Sequence, residues 1–197
     1  MKWPFVSKTI TAGFDQPRPL SVPENRRTHV HGAIDVPGGI GDVIVAPESG
    51  DMVCFCAFRR DTSQGMYDID LDDFGFDLQG HHYFYDVYGA ITFFFGDSGI
   101  THVFCHSFMN QLFNRPAVTG RWRYEESERI ERFPVVAFFM PNYKKLHFRR
   151  GAEIARFGNA GYSTGPHVHY EMHDGRIWNA HAERPRPSEF YKEAKDA

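Results

Sequence analysis

The sequence predicts a mainly β fold: an antiparallel β-sheet core with Gly-rich loops and one or two short helices. Two observations carry this. Aromatic residues make up 16% of the chain, 19 of them Phe, and aromatic side chains favour the pleated, half-buried surface of a sheet. The apolar runs are also short, rich in β-branched and aromatic residues, and separated by Gly- and Pro-bearing turns.

In chain order, residues 1–28 are Pro- and Arg-rich and read as an extended leading segment. Val43-Ile44-Val45 and Met52 to Phe55, divided by Pro-Glu-Ser-Gly, read as strand, turn, strand. Residues 59–82, with Asp68, Asp70, Asp72, Asp73 and Asp77, read as an acidic excursion that lacks a calcium-loop pattern. YFYDVYGAITFFF (83–95) and ITHVFCH (100–106) flank Gly96-Asp97-Ser98-Gly99, a hairpin signal. The best helical stretch is Tyr124 to Glu131, supported by the i,i+4 pairs Glu125–Arg129 and Glu128–Arg132. VVAFFM, KLHFRRGAEIARFG and HVHYEMHDG supply further strands, and SEFYKEAKDA a short helix capped by Ser188.

Composition bounds the function. A chain of 197 residues with 42% hydrophobic and 24% charged residues is ordinary globular material, long enough to close a core without disulfides. The formal charge of −3 gives no basic surface for nucleic acid. No run approaches the ~18 apolar residues of a membrane span, so no membrane insertion is expected. MKWPFVSKTITAGFDQP lacks the apolar stretch of a signal peptide. Cys54, Cys56 and Cys105 have no CxxC spacing and are expected to be free, buried thiols.

The eleven histidines carry the chemistry. His31 and Asp35 would stand ~13 Å apart on a straight strand, too far to share an ion, but a curl at Gly32 would bring them together. His29 is a competing ligand candidate. His167 and His169 follow a Gly-rich loop and share one strand face ~6–7 Å apart, spacing that suits one ligand and one neighbour. His102, Phe104 and His106 share a strand face in this reading. Two histidines and one carboxylate satisfy a catalytic zinc, which keeps a fourth position for water. Two more histidines could handle protons and stabilise negative charge.

GAEIARFGNAGYSTGPHVHYE (151–171), HGAID (31–35) and GAITFFFGDSGITHVFCHS (89–107) together resemble the motifs of the lysostaphin/LytM-type zinc metalloendopeptidases, which cleave peptides of bacterial peptidoglycan. The resemblance implies that family's β fold in a single peptidase-like domain over 1–197, with a core of about 10–180 and insertions at about 59–82 and 110–142. It implies one Zn2+ per chain on His31, Asp35 and His169, with His106 and His167 as the catalytic pair. Which of the two is the general base stays open. Asn159 and Ser163 are read as loop-shaping, and Tyr162 and Thr164 as bordering a substrate groove. Phe104-Cys105 departs from the small or polar residues usual before that central histidine.

The expected partners are therefore peptidoglycan peptides and, in a phage setting, phage structural proteins. With no wall-binding module or export signal recognised, the expected location is a phage virion tail, or the host cytoplasm before lysis. The aromatic and Arg-rich stretches 1–28 and 176–191 are then either docking surfaces or ordinary domain edges. The alternative is a catalytically silent structural or interaction module on the same fold.

Overall fold

A computed structural model describes residues 1–17, 31–55, 88–89, 91–109, 146–159, 161–176, 178 and 184–195. The expected helix at 124–131, the strand VVAFFM, both insertions, His29 and Cys56 lie outside the described residues.

Nine strands and one helix are described: β1 (Ile34–Pro37), β2 (Val43–Val45), β3 (Gly50–Phe55), β4 (Ile91–Gly96), β5 (Ile100–Cys105), β6 (Ser107–Met109), β7 (Leu146–Phe148), β8 (Glu153–Phe157), β9 (His167–Asp174) and α1 (Pro187–Lys195). They form a six-stranded sheet, β1-β9-β5-β4-β3-β7, and a three-stranded sheet, β2-β8-β6. All the ladders are antiparallel. The fold is thus mainly antiparallel β, as the sequence predicts. Gly96–Gly99 closes the expected hairpin: Gly99 N donates to Gly96 O at 3.0 Å, and Gly99 takes φ +91°, where glycine meets no Cβ penalty.

The core lies between the two sheets. Phe5 packs edge-on against Phe104 and Tyr170 of the large sheet and Phe157 of the small one, with ring centroids 5.4–6.0 Å apart. Trp3 extends this cluster to Tyr191 (4.4 Å) and Phe190 (6.4 Å) of α1. The start of the chain is therefore more than an extended leading segment or a free docking surface: Trp3 and Phe5 are buried core residues.

The opposite face of the large sheet is covered as well. Phe93, Val103, Cys105 and Trp178 are at most 1% exposed, which accounts for the unbroken apolar run of β4. Helix α1 begins one residue before the expected Ser188 cap. Pro187 occupies the first turn, where its missing N–H costs nothing, and Arg186 O accepts from Glu189 N and Phe190 N.

Strand β5 ends at Cys105, and His106 turns the chain at φ +59° into β6 of the other sheet. This corrects the expectation that His106 continues the face of His102 and Phe104. A left-handed residue breaks the two-residue alternation. His102 and Phe104 pack into the core, while His106 swings towards β9. The turn is held by His106 N donating to Tyr88 O (2.9 Å) and Ser107 Oγ donating to Phe104 O (2.8 Å).

Candidate metal centre

Alternation on β9 sends Val168, Tyr170 and Met172 into the core and His167, His169, Glu171 and His173 to the other face. The ladder sets Asp35 of β1 opposite His169. The chain before β1 is curled, as Gly32 suggests, and is strapped by residues 11–16. Asp15 N donates to His31 O (2.8 Å), His31 N to Gln16 O (2.8 Å), and Asp35 N to Ala12 O (2.9 Å).

Three side-chain atoms then converge. His31 Nε2 lies 3.0 Å from His169 Nδ1 and 3.2 Å from Asp35 Oδ1, and His169 Nδ1 lies 3.1 Å from Asp35 Oδ1. The other nitrogen of each ring fixes its tautomer. His31 Nδ1 donates to the Gly13 carbonyl oxygen at 3.1 Å, and His169 Nε2 donates to Glu171 Oε1 at 3.0 Å. In neutral rings, His31 Nε2 and His169 Nδ1 are then bare lone pairs, and the carboxylate is an acceptor too.

Three acceptors this close repel one another unless a cation sits among them. Their spacing is near the ~3.3 Å edge of a tetrahedron whose corners lie ~2.0–2.1 Å from its centre. The donor set therefore fits a zinc-like ion. The electrostatics of the metal-free groups favour positive charge at this point, which a proton on the rings also supplies. Burial alone would raise Asp35, but its contacts with His169 and His31 hold it well below the carboxylate range. Burial would lower His169, but Asp35 and Glu171 outweigh it and raise the ring.

The other two expected residues stand beside this triangle. His167 Nε2 is 4.0 Å from Asp35 Oδ1. The ring of His106 lies 4.6 Å from that of His167 and 6.1 Å from that of His169. All five site histidines and carboxylates expected from the sequence thus lie in one cluster. The loop before β9 closes through an isolated bridge between Gly158 and His167. In it Ser163 Oγ approaches Asn159 Oδ1 (2.7 Å), Gly165 O (2.7 Å) and His167 Nδ1 (2.9 Å), and His167 Nδ1 donates to Gly165 O (2.8 Å). Tyr162 and Thr164 are exposed on the same loop.

Five contributors have no role assigned from the sequence. Gly13 O holds His31. Glu171 holds His169 and also accepts from His173 Nε2 (2.8 Å), Trp178 Nε1 (3.0 Å) and Arg184 Nη1 (3.0 Å). Burial alone would raise Glu171, but Arg184 and the two histidines keep it well below its ordinary range. Glu171 could have been found, because the period-two pattern that pairs His167 with His169 continues to it. Arg184 could not, since it carries no motif and lies in the Arg-rich stretch 176–191, although its side chain is buried.

Cys105, His169 and Glu171 form a second close donor group. It is a poor metal site. Burial pushes the Cys105 thiol up, and the nearby Glu171 and Asp35 carboxylates push it further, while Glu171 already faces a guanidinium. Cys105 is a buried free thiol, as the sequence suggests.

No family model matches the chain, and no curated protein matches it. Solved structures do. The chain is similar to the catalytic domain of the antimicrobial peptidase lysostaphin from Staphylococcus simulans, at 17% identity over 93% of this chain and 92% of that one, with a TM-score of 0.49. It is similar to the catalytic domain of the prophage-encoded M23 protein EnpA from Enterococcus faecalis, at 18% identity over 95% and 92%, TM-score 0.44. A zinc-containing peptidase from Vibrio cholerae is matched at 16% identity over 93% of this chain but 41% of that one, TM-score 0.44.

Proposed function

We propose that the chain is a zinc-dependent endopeptidase that hydrolyses peptide bonds of bacterial peptidoglycan. One observation carries the reading: two imidazole lone pairs and one carboxylate oxygen lie 3.0–3.2 Å apart, with two further histidines at their edge. That is the ligand count of a catalytic zinc with a position left for water. His31, Asp35 and His169 would hold the ion. A bound zinc supplies polarisation of the scissile carbonyl and a lowered pKa for water.

The remaining work falls to the chain's own groups. His167 donates through Nδ1 to Gly165 O, so its Nε2 lone pair faces the site and can accept a proton from water. His106, buried beside it, can donate towards the oxygen on which negative charge develops. Ser163 steadies the His167 ring, and the exposed Tyr162 and Thr164 are placed to border a peptide.

The test is release of new amino groups from purified peptidoglycan, abolished by a chelator and restored by zinc, with mass spectrometry naming the bond. Zinc bound without hydrolysis of any wall type would favour the silent structural module instead. We also propose the phage setting, on functional analogy. Finding the chain in purified virions by mass spectrometry supports it, and finding it only in uninfected cells counts against it.

A further inference from the structure

Arg184 touches both halves of the metal centre. Its Nη1 donates at 3.0 Å to Glu171 Oε2, behind His169, and at 3.0 Å to Gly32 O, next to His31. The guanidinium and the carboxylate are both buried, at 8% and 3% side-chain exposure. Gly32 is the residue that admits this contact, because a Cβ there would stand 2.7 Å from Arg184 Nη1. Neighbouring Arg186 makes a contrast: its pair with Asp15 is about half exposed on both sides, the kind of ion pair that holds little in place.

We propose that Glu171 and Arg184 form a positioning bracket for the metal centre. Glu171 keeps the His169 proton on Nε2 and so turns the Nδ1 lone pair towards Asp35 and His31. Arg184 fixes the Glu171 carboxylate and ties it to the curl that carries His31. Neither residue touches the substrate or the ion. The bracket couples ligands 138 residues apart in sequence, so that the site is preformed before any metal arrives. Partners of this kind, which orient a ligating imidazole, typically change metal affinity by roughly 10–100-fold when removed.

This inference rests on the reading of His31, Asp35 and His169 as a metal site, and the test separates the two. Zinc affinity is measured on the full chain by competition with a chromophoric chelator, for wild type, Glu171→Gln, Arg184→Met, Arg184→Lys and His169→Ala. The His169 tautomer is read in the zinc-free chain by imidazole 15N NMR at alkaline pH, where the ring is neutral. The bracket requires one zinc per chain throughout the bracket variants, held about 10–100-fold more weakly in Glu171→Gln and Arg184→Met. Arg184→Lys, which keeps a buried cation, should fall between Arg184→Met and wild type. Wild type should show the proton on Nε2, and Arg184→Met a mixture. Wild-type affinity and an unchanged tautomer in Arg184→Met overturn the bracket. Should Glu171→Gln fail to fold, the order of Arg184→Lys and Arg184→Met still decides. If His169→Ala binds zinc as well as wild type, the metal reading itself fails, and the tautomer measurement still judges the bracket.

Discussion

Asp35 and His169 face each other across the β1–β9 ladder, and their Oδ1 and Nδ1 atoms stand 3.1 Å apart. Two neighbouring strands set one edge of the donor triangle by register alone. The third corner, His31, comes from the curl before β1. A register shift of one residue would send His169 to the core face, so the ladder itself guards the site.

His169 and His167 should separate by function. His169→Ala is expected to lose both bound zinc and peptidoglycan hydrolysis. His167→Ala should keep the zinc and lose roughly 10²–10⁴-fold in turnover, the usual worth of a general acid–base group. Metal analysis and hydrolysis rates on the two variants check this; a reversed pattern would reverse the roles.

Ser163→Ala should leave zinc content unchanged and slow turnover by roughly 2–10-fold, corresponding to about 0.5–1.5 kcal/mol for one lost hydrogen bond. The hydroxyl lies 2.9 Å from His167 Nδ1, and it steadies a ring that Gly165 O still holds. A loss of zinc in this variant would show that Ser163 supports the ligand His169 instead.

Much of the site is legible because strand chemistry is periodic. HVHYE places two histidines and a carboxylate on one face by alternation. Gly32 signals the curl that brings His31 to Asp35. His106 lies beside His167 and His169 but off the strand face the sequence suggests, since a left-handed φ at a non-glycine residue leaves no mark on the sequence. Strand β1 is not among the strands read from the sequence, because Pro37 and the glycines after it argue against a helix without marking a strand. The buried roles of Trp3 and Phe5 were also missed. They fill the gap between two sheets whose spacing no local pattern reveals.

A second polar network runs from buried His102 in the core out to exposed Ser98, away from the metal centre. Glu48 Oε1 accepts from His102 Nε2 (3.0 Å) and from Ser98 Oγ (2.7 Å), and His102 Nδ1 accepts from the Tyr170 hydroxyl (2.7 Å). Burial lowers His102 below its ordinary 6.5, outweighing Glu48. For Glu48, burial would raise the carboxyl, but His102 and Ser98 outweigh it and hold it below 4.5. In both cases the unfolded chain binds the proton more readily, so stability falls as pH falls. The His102 contribution is lost first, from about pH 6.5 down to its folded value, and the Glu48 contribution below about pH 4.5. Protonated His102 would also have to reverse its bond with Tyr170, donating from Nδ1 to the hydroxyl oxygen. Melting temperature against pH should therefore decline below about 6.5, and His102→Gln should flatten the upper part of that decline. An identical slope in the variant would remove His102 from this account.

Trp3→Ala should destabilise the fold by about 3–5 kcal/mol, the range for truncating a buried large aromatic. It deletes the ring that joins Phe5 to Phe190 and Tyr191. Urea denaturation gives the value. A change under 1 kcal/mol would mean that the start of the chain is an edge and not part of the core.

The most direct measurement is native mass spectrometry of the purified chain in zinc, for wild type, His31→Ala, Asp35→Ala and His169→Ala. One zinc on the wild type, and none retained at the same concentration by any of the three variants, is the result that three converging lone pairs require. Zinc retained by all three, or absent from the wild type, would contradict it.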